Sequence, residues 1–151
     1  MSKVIVYQKF AADTYPVLAA TVTTGWLPGQ CFTVGGVGTT GYASIASVDG
    51  TMFVGIDDDL QLATPPTGSL LTGIYGSGTK FVIDHTEEVD AGSATRAYSV
   101  VGNPEAAILA QSLYIDTVGK FTTTVTGSVK GKVWQIPEAA NHFGLGVITR
   151  F

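Results

Sequence analysis

Charge is scarce in this chain. Only 13% of its 151 residues are Asp, Glu, Lys or Arg, where a globular domain usually carries about 25%. Hydrophobic residues make up 45%, which excludes a charge-driven disordered chain, because that class needs high net charge and low hydrophobicity. Either Thr, Ser and Gly coat the surface, or a partner covers part of it. Cysteine is nearly absent too. Cys31 stands alone, so no internal disulfide and no thiolate zinc cluster can form. No apolar run approaches the ~20 residues of a membrane helix, which argues against a membrane partner. The start, Met1-Ser2-Lys3-Val4-Ile5-Val6, lacks the apolar core of a signal peptide, and neither Asn103 nor Asn141 begins a glycosylation acceptor. These absences point to a reducing cytosol, or to release by lysis.

The eight basic residues are scattered and the net charge is −4. Nucleic-acid binding draws on clustered Lys and Arg, and only Lys130 and Lys132 lie close together in sequence. The reading is no nucleic-acid partner.

What is present is β-forming. Thr, Val, Ile and aromatic residues recur in short runs punctuated by Gly, as suits a pleated surface. Alternation and turn signals predict strands at Lys3 to Phe10, Val17 to Thr23, Gln30 to Val34, Tyr42 to Val48 and Thr51 to Ile56. Further strands are expected at Ser69 to Tyr75, Lys80 to Asp84, Thr95 to Val101, Phe121 to Thr126, Lys130 to Ile136 and Gly144 to Phe151. Asp49-Gly50 is the strongest hairpin dipeptide. Turn signals every 8–12 residues or so predict an all-β single-domain barrel or sandwich. One segment breaks the pattern: Asn103-Pro104-Glu105 opens an Ala-rich stretch that reads as a short helix to Gln111, continuing toward Leu113. A strand over Ser112 to Asp116 is the competing reading. A second helical turn is allowed at Pro137 to Asn141.

The chemical motifs are weak. Gly36-Val37-Gly38-Thr39-Thr40-Gly41 matches a dinucleotide fingerprint, but no helix or βαβ unit follows it. Asp57 to Asp59 and the acidic stretch Asp84 to Asp90 lack EF-hand spacing and read as solvated loop tips. His85 and His142 have no marked nucleophile, and no G-x-S-x-G elbow occurs. No cofactor, metal site or catalytic residue is assigned, and the chain is read as a non-enzyme. Trp134, on an alternating strand, reads as core. Trp26, between Gly and Pro, is equally suited to an exposed contact.

Leu27-Pro28-Gly29-Gln30 before an apolar strand, then Ala43 to Val48, Asp49-Gly50 and Phe53-Val54-Gly55-Ile56, form an ordered set of β phrases. Gly119 to Thr123, Val129 to Val133 and Leu145 to Ile148 close it. In this order the chain resembles the capsid decoration (cement, head-stabilising) proteins of tailed phages. The resemblance implies a homotrimer on the outer capsid surface, made in the host cytoplasm, which binds the major capsid protein and braces capsomers. Its expected interface is Val4, Val6, Tyr7, Phe10, Tyr15 and Trp26. Residues 1–15 are expected as a first strand or an arm, and residues 16–151 as the β domain. A tail or baseplate module and a small-ligand or carbohydrate-binding barrel are the alternative readings.

Overall fold

Alternation decides which side chains this chain buries. In Lys80-Phe81-Val82-Ile83-Asp84, Phe81 and Ile83 join the main core, so the residues between them must face the other way. The same rule, applied strand by strand, builds two sheets around one core. The computed structural model describes residues 3–17, 28–34, 43–45, 53–56, 68–84, 98–99, 109–117, 119–136 and 144–151.

Within these residues the elements are β1 Lys3–Gln8, β2 Ala11–Pro16, β3 Cys31–Val34, β4 Ala43–Ile45, β5 Phe53–Gly55 and β6 Leu70–Tyr75. They continue with β7 Lys80–Asp84, β8 Tyr98–Ser99, β9 Ser112–Ile115, β10 Phe121–Thr122, β11 Gly131–Gln135 and β12 Leu145–Thr149. A seven-stranded sheet has the order β1-β7-β12-β11-β9-β10-β8, and a five-stranded sheet the order β2-β6-β5-β3-β4. All pairings are antiparallel except β8 with β10. Cys31, Val54 and Ile74 of the small sheet meet Phe81, Ile83, Leu113, Ile115, Val133, Leu145 and Val147 of the large one in a single buried core. The protein is an all-β sandwich, with no helix among the described residues.

Three expectations change. The strands on either side of Asp49-Gly50, which itself lies outside the described residues, do not pair with each other: β4 and β5 each pair antiparallel with β3, on opposite sides of it. They therefore run in the same direction, which a two-residue hairpin cannot connect. The helix expected from Asn103 does not extend to Leu113, which is a buried strand residue of β9. Ala110 has φ 64°, a left-handed conformation that ends a right-handed helix. Residues 103–108 lie outside the described residues, as do most of Val17 to Thr23 and the turn at Pro137 to Asn141. Finally, β2 is a second strand beyond the one expected over Lys3 to Phe10.

Candidate functional site

Residues 3–16 and 70–84 form one long antiparallel ribbon that passes through both sheets. Lys3 to Gln8 pair with Asp84 to Lys80 in the large sheet, and Ala11 to Pro16 pair with Tyr75 to Leu70 in the small one. At the corner between them, Lys9 and Phe10 on one arm face Gly76, Ser77, Gly78 and Thr79 on the other. The longer arm must turn more sharply, and it does so with glycines at φ 109° and 91°, a region that side chains resist. Phe10 fills the space they leave. A Cβ on Gly76 would lie 2.8 Å from the Phe10 Cβ. The bend is tied from within: the Gly76 carbonyl accepts the Thr79 hydroxyl at 2.8 Å and the Thr149 hydroxyl at 2.7 Å.

This corner carries most of the residues expected at an interface, but divides them. Val4 and Val6 face inward and pack against the main core. Tyr7 and Phe10 remain 56% and 64% exposed. Tyr15 is half-buried in a second cluster with Phe32 and Phe53. Trp26 lies outside the described residues. Both β1 and β2 are edge strands, and among the described residues none pairs with their outer sides. The edge has guards against strand addition: Lys3, a bulge between Val6 and Gln8, and Pro16 at the end of β2.

Trp134 sits on the outer face of the large sheet rather than in the core. It alternates with the inward Val133 and so shares the face of Lys132. A bulge between Val133 and Gln135 then shifts the register so that Gln135 pairs with Gly146. The ring passes over Gly146, where an added Cβ would stand 2.9 Å from the Trp134 Cε2. Its indole N–H donates to the Phe81 carbonyl at 3.2 Å. The Lys80 ammonium lies 4.2 Å from the ring centroid, a cation–π contact, and Tyr7 meets the ring edge-on at 5.3 Å. Three strands thus converge on one aromatic–cation contact beside the corner.

On the small sheet, the Tyr75 hydroxyl donates to Asp13 at 3.0 Å. That hydrogen bond, followed by burial, raises the Tyr75 phenol above its usual range. Burial, then the Asp13 charge, raises Tyr15. Cys31 is fully buried, and the apolar surroundings push its thiol well up, the opposite of what a nucleophilic cysteine needs. Lys132 donates to Ser112 at 2.8 Å across β11 and β9, a cross-strand pair. The glycine-rich motif at 36–41, the acidic residues 57–59 and 85–90, His85 and His142 lie outside the described residues.

Basic residues that are scattered in sequence share a face in the fold. Lys3, Lys80 and Lys132 alternate with inward residues and stand on the outer face of the large sheet. The sequence signal was the parity of each lysine against its buried neighbours. No protein-family model, curated protein or solved structure matches this chain.

Proposed function

We propose that this chain is a non-catalytic structural module of a virion. It binds the outer capsid surface of a tailed phage, contacts the major capsid protein and braces neighbouring capsomers as a homotrimer. One observation carries the adhesive part of the reading: Tyr7 and Phe10, two large aromatics, are exposed at a rigid corner where both sheets meet. Exposed aromatics on a stiff scaffold lose little entropy on binding and are typical anchors of an interface. The resemblance in the order of β phrases supports the capsid as the surface. A trimer presents the corner three times, so weak contacts combine by avidity.

The test is co-sedimentation with particles banded on a density gradient, with copy number measured by quantitative mass spectrometry. A copy number in simple ratio to the major capsid protein supports the proposal. A few copies per particle redirect it to the tail or baseplate, and absence from particles overturns it. The double variant Tyr7→Ala/Phe10→Ala is expected to lose binding by about 30-fold or more, from roughly 2 kcal/mol at a hot spot. Light scattering of the isolated protein reads the trimer.

A further inference from the structure

The outer face of the large sheet gathers cations that an acidic chain would not be expected to display. Lys80 of β7 and Lys132 of β11 flank Ile148 of β12 in one register row. Two strand spacings place their backbones about 10 Å apart. Arg150, one residue beyond β12, is exposed and continues the alternation of that strand toward the same face. Lys3 adds a fourth cation at the edge, near Asp84 at 3.8 Å. Asp84 is the only acid among the described residues of this face, and it is buried. Among the described residues no carboxylate forms an ion pair with Lys80, Lys132 or Arg150. Ile148 and the Trp134–Tyr7 pair provide apolar area between the charges.

We infer that this face docks an acidic protein surface, continuing the contact that begins at Tyr7. The inference rests on the adhesion reading for the identity of the particle, and adds the chemistry of the surface bound: clustered Asp and Glu side chains. Complementary charge sets register and speeds encounter, while the aromatic corner supplies the desolvated anchor. A single-stranded nucleic acid fits less well. It needs an aromatic face open for stacking, and the Trp134 ring is already engaged by Lys80 and Tyr7. Four cations also fall short of the six to ten or so phosphate contacts of a typical nucleic-acid binder.

The test uses fluorescent poly-L-glutamate and an oligothymidylate of equal charge, read by anisotropy with the full chain. Poly-L-glutamate is expected to bind in about 10 mM salt and to release near 1 M, as the screening length falls from about 30 Å to about 3 Å. Lys80→Gln/Lys132→Gln should weaken binding by about tenfold or more. Thr117→Glu/Thr124→Glu removes the same net charge elsewhere and should change it less than about twofold. Arg150→Gln, an exposed change, repeats the test if the double variant fails to fold. No binding of poly-L-glutamate, equal loss in both double variants, or tighter binding of the oligothymidylate would each overturn the inference. If poly-L-glutamate behaves as expected but particles do not retain the wild type, the acidic-partner face stands and the capsid reading falls.

Discussion

Gly146→Ala should loosen the contact on which the large sheet's outer face depends. The added Cβ would lie 2.5 Å from the Gln135 Cβ, 2.8 Å from the Gln135 backbone nitrogen and 2.9 Å from the Trp134 ring. Favourable carbon contacts sit near 3.5–4.0 Å or so, and a backbone nitrogen cannot swing away as a side-chain end can. Either β11 and β12 part locally or the indole leaves its seat. Overpacking of this kind costs about 1–3 kcal/mol, and loss of the indole bond to the Phe81 carbonyl adds about 1 kcal/mol. Alanine offsets about 0.4–1 kcal/mol by restricting the unfolded chain. The steric terms win, leaving a net loss of about 1–3 kcal/mol and a fall in Tm of roughly 3–10 °C for a domain of this size. A Trp26→Phe background isolates Trp134 fluorescence, which should shift to the red as the ring gains water. Gly68→Ala is the control. Gly68 has φ 94° with nothing within 4 Å of an added Cβ, so it carries only the left-handed penalty of about 1–2 kcal/mol and should leave the emission unmoved. An unchanged Tm together with unchanged emission in Gly146→Ala would refute the packing argument.

Phe32→Ala, which removes a fully buried ring stacked on Phe53, should cost about 3–5 kcal/mol in chemical denaturation; a loss under about 1 kcal/mol would mean the second cluster is not packed. Cys31 should resist a thiol reagent until the protein unfolds. Its raised thiol stays neutral in the fold, so its contribution is complete below the unfolded pKa of about 8.5. Stability should therefore decline as pH rises beyond that value toward the folded pKa. Cys31→Ala should remove the part of this decline that sets in below about pH 10, where the raised Tyr15 and Tyr75 phenols begin to contribute. Asp13→Asn removes the charge that Tyr75 faces, so the Tyr75 phenol should titrate lower, nearer its ordinary range. Ultraviolet titration against a Tyr75→Phe background identifies that midpoint, and an unchanged titration would contradict the assignment.

What the sequence revealed was local, and what it concealed depended on neighbours. Lys80–Asp84 was legible in full because its alternation and flanking turn signals are self-contained. β2 was not, because Ala-Ala-Asp-Thr-Tyr-Pro has little strand character of its own. It is extended because β6 pairs with it over six consecutive residues, which is tertiary context overriding propensity. The pairing expected across Asp49-Gly50 was missed for a related reason. Dipeptide preference reports a turn, but it cannot report that β3 lies between the flanking strands. Among the expected interface residues, Tyr7 and Phe10 are exposed while Val4 and Val6 point inward. Strict alternation places Tyr7 opposite Val6, but it could not supply the strand order β1-β7-β12-β11 that sets Trp134 on the same face.

The charge distribution shows how an average can conceal a surface. A net charge of −4 and scattered lysines argue, by composition, against any anionic partner. Strand parity reverses that argument for one face: it sends Lys80 and Lys132 to the side opposite the core, and the order β7-β12-β11 places them across a single intervening strand. Parity was readable in each strand taken alone; the adjacency of β7, β12 and β11 was not, because 47 residues separate Asp84 from Lys132. Electrostatic interactions act over about 10 Å at moderate salt, which matches the spacing of this row rather than the dimensions of the whole protein. A partner therefore responds to the local face, and the net charge of the chain sets solubility rather than the sign of what it binds.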